Sequence, residues 1–399
     1  MHRKITFKLT FGLIFIFFNT ILYSEPTIRQ LLKRPFYITT ERVDNGLIHS
    51  HYLSDAHYGQ PLSIHVLKVN MDSIMVEHVV AMDQVIGQET VSAMTTRYNA
   101  LAGINGGFSY SNDPRNIYHG DPRDFLVMDG QILSEPYSTR SSFGIYTDNN
   151  GFQYPVIKQI QMTSKLTFRA FDHSFLIDGI NRIRRNNEII LYTPEWNFTT
   201  LTRDDGLELT IQNNRITRIS INEGGAEIPS DGFVLSASGK RADSLAFIGL
   251  ASNDIIHIQH QIKSLRDSKE NVDVENSSYS TAGPTLMLDG EILNDHADEN
   301  IPVSFDTTRH PRTAIGISKD ERNLLLLVVD GRQPGYSMGM SLSEVSLFLK
   351  EIGAYHAYNL DGGGSTTMVI GDNVVNSYSD PEERPRSDAI LLFPRDRTE

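Results

Sequence analysis

The apolar and polar positions of this 399-residue chain change period along its length, most clearly between Leu324 and Gly371. An aliphatic run, Leu324 to Val329, ends in Asp330-Gly331-Arg332. Leu342, Val345, Phe348, Leu349 and Ile352 then recur at helical spacing behind Ser341-Leu342-Ser343-Glu344, the pattern of a capping box. A second short apolar run ends in Asp361 and three glycines. The pattern predicts strand, helix, strand, and a parallel βαβ unit over residues 324–371 is its economical fold. Both strand ends would then open on one sheet edge and bring Asp330 and Asp361 together, at the edge where parallel sheets hold ligands.

Elsewhere short runs of alternating or continuous apolar residues predict strands, at 62–69, 73–81, 101–108, 188–193, 207–212, 216–222, 233–236, 255–262 and 389–393. Helical spacing predicts helices over 89–98 and 240–250. Two stretches echo each other: LVMDGQILS at 126–134 and LMLDGEILN at 286–294 each join two apolar runs through Asp-Gly, a hairpin signal, and each is followed by a similar strand beginning at Arg140 or Arg312. Residues 266–280 are charged and poor in apolar side chains, the composition of a mobile loop. The class expected is α/β to α+β, a strand-rich mixed-sheet scaffold around the βαβ unit. Residues 1–24 read as a signal peptide, 25–89 as a lead-in with edge strands, and 90–399 as the main domain.

Composition narrows the function. The formal net charge is −13, from 36 Lys and Arg against 49 Asp and Glu. Residues 1–24 hold three of the basic residues and no acid, so the remainder carries 33 against 49, or −16. No general positive field is left to gather nucleic-acid phosphates. The N-terminus sets Arg3, Lys4 and Lys8 ahead of an apolar run through Phe18 and then Tyr23-Ser24, the layout of a signal peptide. A membrane anchor is the alternative, weakened by Asn19 and Thr20, so no stable span is expected after cleavage. The chain has no cysteine, which leaves no disulfide, thiolate metal site or lipid attachment and favours a bacterial periplasm or exterior.

An aspartate after an aliphatic run can simply form a turn, but here one ends each of two strands expected to be neighbours. Arg332 follows the first and Gly362-Gly363-Gly364-Ser365-Thr366 the second, supplying backbone N–H groups and hydroxyls for an anion. Arg312 and Arg332 could hold a phosphate bidentately. The set suits hydrolysis of a phosphate-bearing glycoside, or a Ca²⁺ or Mg²⁺ ion held by Asp330 and Asp361. Glu344 is explained by capping and stays a candidate third acid. Asn359, two residues before Asp361, should face the same side, His310 flanks the arginine, and Asn105-Gly106-Gly107 would place an amide and open backbone at another strand mouth. Nucleotide P-loop, dinucleotide and HExxH patterns do not occur.

The segments Asn105-Gly-Gly-Phe108, His310-Pro-Arg-Thr-Ala-Ile-Gly316, Val329-Asp-Gly-Arg332, Gly335-Tyr-Ser-Met-Gly-Met-Ser-Leu342 and Asn359-Leu-Asp-Gly-Gly-Gly-Ser365 together resemble the phosphodiester glycosidase family, over roughly Thr90 to Phe393. The resemblance implies removal of a sugar joined through its anomeric carbon to a phosphodiester, with Asn105, Arg312, Asp330, Arg332, Glu344 and Asp361 at recurring polar positions. Asp361 is then expected as base or nucleophile with Asp330 as partner. Arg312, Arg332 and the backbone of Gly362 to Gly364 would hold phosphate, and Asn105 a sugar hydroxyl or a carboxylate. The family's second aromatic is missing from Asn-Gly-Gly-Phe-Ser. A sugar-phosphate small molecule or an envelope glycan is the expected partner. The rival reading is an extracellular glycan- or envelope-binding module without turnover.

Overall fold

The computed structural model describes residues 36–395 apart from 55–60, 111–115, 170–172 and 267–269. The expected signal peptide lies outside the described residues. Among them the strands form an eight-stranded sheet, a seven-stranded one and two of five strands, with short helices between.

The eight-stranded sheet holds the aliphatic run. Asn323–Val329 lies between Leu62–Asn70 and Arg312–Ile317, and His356–Asn359 follows on the far side of Arg312–Ile317. Asn323–Val329 and His356–Asn359 are both antiparallel to Arg312–Ile317 and therefore run the same way, as the βαβ pattern predicts. They are not hydrogen-bonded neighbours, because the strand from the second sequence echo is inserted between them. The helix Leu342–Glu351 connects them, with Ser341 as N-cap, a complete capping box and Leu342, Val345, Phe348 and Leu349 buried.

Two expected boundaries change. Leu62–Asn70 pairs with Leu47–Ser54 on one side and Asn323–Val329 on the other, and Ile74–Val80 pairs with Asp388–Pro394. Residues 25–89 are thus not a separate lead-in over their described part: residues from Phe36 on belong to one compact unit, and no boundary falls at 89/90. Secondly, the stretch expected as a loop over 266–280 ends in the strand Ser277–Thr281, which pairs with Ser141–Thr147 and buries Tyr279. Its serines and threonines carry no apolar period, yet β-branched and hydroxyl side chains suit a sheet that other strands cover.

The core follows from this order. Leu67, Leu326, Val328, Ile315 and Tyr358 of the eight-stranded sheet pack against Ile104, Met368, Ile390 and Leu392 of a five-stranded sheet and Phe143 and Ile145 of the seven-stranded one. The second core lies in residues 166–256, where Gly206–Gln212, Arg215–Ile221 and Gly232–Ser238 build their own sheet. The strand Gln153–Phe168 carries the chain there: its first half pairs with Ser141–Thr147 and its second with Ile256–Ser264. The Asp129-Gly130, Asp289-Gly290 and Asn213-Asn214 turns all take positive φ at both positions, as two-residue hairpins of this kind require.

Candidate active site

The strand Ala102–Asn105 runs between Met368–Ile370 and Asp388–Pro394, so its last residue arrives where several chain segments end. Asn105 is fully buried there. Its Oδ1 accepts from Thr313 Oγ1 at 2.8 Å and from the Thr367 N–H at 3.1 Å, and its Nδ2 donates to the Asp361 carbonyl at 2.7 Å. Asn105 thereby anchors the backbone of Asp361 from within. The glycines after it are required by close approach: a Cβ on Gly106 would strike the Asp388 carboxylate, and one on Gly107 the Thr281 carbonyl. The Gly107 N–H donates to both oxygens of Asp388 at 3.0 Å, and the Gly106 carbonyl accepts from the Asp361 N–H at 3.2 Å. Burial raises the pKa of Asp388, which these donors and Ser280 Oγ at 2.5 Å offset.

Asp361 is held by backbone on one side and by a cation on the other. One carboxylate oxygen accepts from the Gly362 N–H at 2.8 Å, and the other meets Arg386 at 2.7 Å. Arg386 is 1% exposed and the Asp361 side chain 17%, so the cation is sealed in while the carboxylate keeps an open side. Arg386 also donates to the Gly107 carbonyl at 3.1 Å, which ties the Asn105 turn to Asp361.

Two of the three glycines are covered by arginines. Gly363, at φ 64°, donates to the Pro311 carbonyl at 2.9 Å and lies under the Arg332 guanidinium. Gly364 lies under the ion pair of Arg384 and Asp380. With the Gly362 and Gly363 N–H groups already given to Asp361 and Pro311, the expected backbone cradle is smaller than the sequence suggests. Ser365 is buried, and its hydroxyl, like those of Thr366 and Thr367, has no partner among the described residues. Arg332 is exposed, takes left-handed backbone at φ 60°, and lies 3.2 Å from His310 Nδ1. It has no carboxylate partner among the described residues. Burial, then Arg312 and Arg332, push the His310 pKa down, so the ring is neutral and can accept from Arg332.

Other expected site residues fall into the scaffold. Arg312 is buried beneath the site, stacks over Phe305 at 4.8 Å, and spends its donors on the carbonyls of Met340, Phe305 and Thr308. Burial brings its pKa down to about 10. Glu344 closes the capping box through the Ser341 N–H at 2.9 Å and pairs with Arg309. Asn359 is buried and donates to the Gly283 and Leu360 carbonyls, both at 2.8 Å.

Asp330 and Asp361 share no side-chain partner. Its oxygens accept from Ser63 Oγ at 2.7 Å, the Tyr336 hydroxyl at 3.1 Å and the Ser377 N–H at 2.8 Å, and its pKa is raised by burial. His65 lies 3.8 Å away in a stack with His49 and His51. The donor set does not fit the expected Ca²⁺ or Mg²⁺ site. Asp330 is ringed by O–H and N–H groups that point hydrogens where a cation would sit, and Asp361 already meets a guanidinium. Among the described residues no three His, Cys, Asp or Glu side chains converge as metal ligands.

Arg384 and Arg386 escaped the sequence reading. The signal available was their spacing, since two arginines two apart ahead of a strand share a face, and that strand's partner is the one ending in Asn105. A cleft of about 890 Å³ is lined by Gln131, Thr163, Gln259 and His260, away from all of these residues. Size therefore does not mark the site; the open carboxylate and the arginines do.

Residues 205–393 match the family model for phosphodiester glycosidase, a span that includes Asp361, Arg332 and Arg386 and leaves out Asn105. An uncharacterized protein of Rickettsia conorii is 26% identical over 266 residues, covering 65% of this chain and 85% of its own. A crystal structure from Burkholderia pseudomallei superposes with a TM-score of 0.71 at 23% identity, over 84% of this chain and 74% of that one. A protein from Synechocystis gives 0.71 at 20%, over 91% of this chain and 64% of that one. The two solved structures share the fold, and the three relatives are bacterial. No helix among the described residues is long and apolar enough to cross a membrane.

Proposed function

This chain belongs to the phosphodiester glycosidase family, and from that premise we propose that it hydrolyses the bond between a sugar's anomeric carbon and a phosphodiester oxygen. The products are a free sugar and a phosphate monoester. The observation that carries the reading is the Asp361 carboxylate, held by Arg386 and Gly362 and open on one side, with the unpaired Arg332 next to its glycines. Asp361 takes a proton from water as the water oxygen bonds to the anomeric carbon. The bond from that carbon to the phosphate oxygen breaks, and its electron pair leaves with the phosphate. Phosphate is a good leaving group, so a strong general acid is not needed, and Arg332 stabilises the charge that develops on it. Asp330, Arg312, Asn105, Glu344 and Asn359 act in this reading by holding the strand ends. Gly106, Gly364, Ser365 and His310 shape the floor.

The substrate is a sugar phosphodiester, free or within an envelope glycan. The N-terminal segment and the bacterial relatives support export to the periplasm or beyond. The test is sugar release from a panel of α-linked sugar-1-phosphodiesters, with Asp361→Asn as the contrast. The wild type should release sugar with inverted anomeric configuration, unaffected by chelator, and the variant about 10³-fold more slowly. Retention of configuration reassigns Asp361 as nucleophile. No release across the panel leaves the non-catalytic glycan-binding module as the function.

A further inference from the structure

On the far side of Arg386 the chain carries two more arginines that the hydrolytic step does not use. Arg140 places its guanidinium 5.0 Å from the ring centre of Phe108, the residue after the Gly107 carbonyl that Arg386 holds. Arg123 stacks 5.9 Å from the ring of Tyr110, and its backbone N–H donates to the Phe108 carbonyl at 2.9 Å. A guanidinium lying on a ring uses its face and keeps the N–H groups along its edge free for an oxyanion.

Neither arginine has an ion pair among the described residues. The carboxylates within electrostatic reach of Arg140 are committed elsewhere. Asp124 accepts from the Phe125, Tyr137 and Ser138 N–H groups and the Ser138 hydroxyl. Glu299 accepts from the N–H and hydroxyl of Ser141 and from the Thr285 N–H. Arg140 donates weakly, at 3.5 Å, to the Ala282 carbonyl. Burial first, and then the like charge of Arg123, push its pKa down, against the opposite pull of Asp124, Tyr358 and Glu299.

We propose that Arg123 and Arg140 form a second anion subsite, which takes a further phosphate of the leaving group beyond the one being cleaved from the sugar. The inference rests on the hydrolase reading and deepens it: the preferred substrate carries more than one phosphate, as a chain of sugar–phosphate repeats does.

Binding of inorganic phosphate and of tripolyphosphate, measured by calorimetry, tests this without turnover. The wild type should bind tripolyphosphate at least about tenfold more tightly than orthophosphate. Arg123→Gln with Arg140→Gln should erase that gap, and Arg123→Lys should shrink it. Arg332→Gln should weaken both ligands and keep their ratio. Arg218→Gln, on an exposed strand of the other core, controls for net charge and should leave the gap unchanged. Equal affinities in the wild type, or a gap that survives the double variant at an unchanged melting temperature, overturn the subsite. Asp361→Asn should keep the gap, so failure of hydrolysis and failure of the subsite are read separately. With hydrolysis in hand, the double variant should raise KM for a polyphosphorylated leaving group about tenfold, leaving kcat and the KM for a leaving group with a single phosphate nearly unchanged.

Discussion

Asp330 and Asp361 stand at the ends of two strands that run the same way, each before a glycine, yet they sit in opposite chemical surroundings. Asp330 is 1% exposed and surrounded by neutral donors. Asp361 faces a buried guanidinium and keeps an opening to solvent. The aspartate–glycine pattern thus marks a strand end and says nothing of its use; the charge and exposure of the partner decide it. A carboxylate whose lone pairs are all taken by hydroxyl and amide donors is a clamp. One balanced by a cation on a single side can still act on a ligand.

The largest effect should separate the two in activity. Asp361→Asn is expected to lower kcat/KM about 10³-fold with a modest loss of stability, whereas Asp330→Ala should keep kcat within a few-fold and lower unfolding free energy by about 3 kcal/mol, because Ser63, Tyr336 and Ser377 lose their acceptor. Inactive but fully stable Asp330→Ala would erase the distinction. Next comes Arg386→Met, which strips the buried partner from Asp361 and should cost about 3 kcal/mol in urea unfolding. A change under about 1 kcal/mol would mean that the pair does not hold the strands together.

A third effect lies in the pH dependence of stability, where the surroundings of Asp330 include buried histidines. Burial lowers the pKa of His65 and of His78 to about 3. Both stay neutral in the fold while the unfolded chain takes up protons below about 6.5, so their contribution is complete above that value and is lost as pH falls toward 3. Asp330 and Asp388, raised by burial, work in the opposite sense between the ordinary carboxylate value and their own. Urea midpoints should fall with acid by up to about 1.4 kcal/mol per pH unit per histidine, and His78→Gln should flatten the slope. The smallest effect is for Glu344→Gln, which keeps the capping box and loses Arg309: about 0.5 kcal/mol and unchanged turnover.

What was legible in the chain was local. The Asp129-Gly130, Asn213-Asn214 and Asp289-Gly290 turns and the Ser341 cap follow from backbone preferences within a few residues. The same-direction strands 323–329 and 356–359 were legible too, as the two ends of one helical crossover. The strand between them was not, because no local pattern says that residues 312–317 fold back into that gap. The site divided in the same way. Asp361, Arg332 and the glycines stood out by composition, but Arg386 meets Asp361 only through the pairing of Asp388–Pro394 with Ala102–Asn105. Arg312 misled for the converse reason: its residue type suits phosphate, while its burial under three carbonyls is a tertiary fact.

The strand order of the central sheets also sets a schedule for folding. The eight-stranded sheet joins residues 36–70 to residues 285–359, and a five-stranded sheet joins 74–80 to 388–394. A ribosome must finish almost the entire chain before either sheet can close, and such distant pairings form slowly. The strands of residues 36–80 therefore lack their C-terminal partners until synthesis is nearly complete, whereas the sheet within residues 179–238 can close earlier.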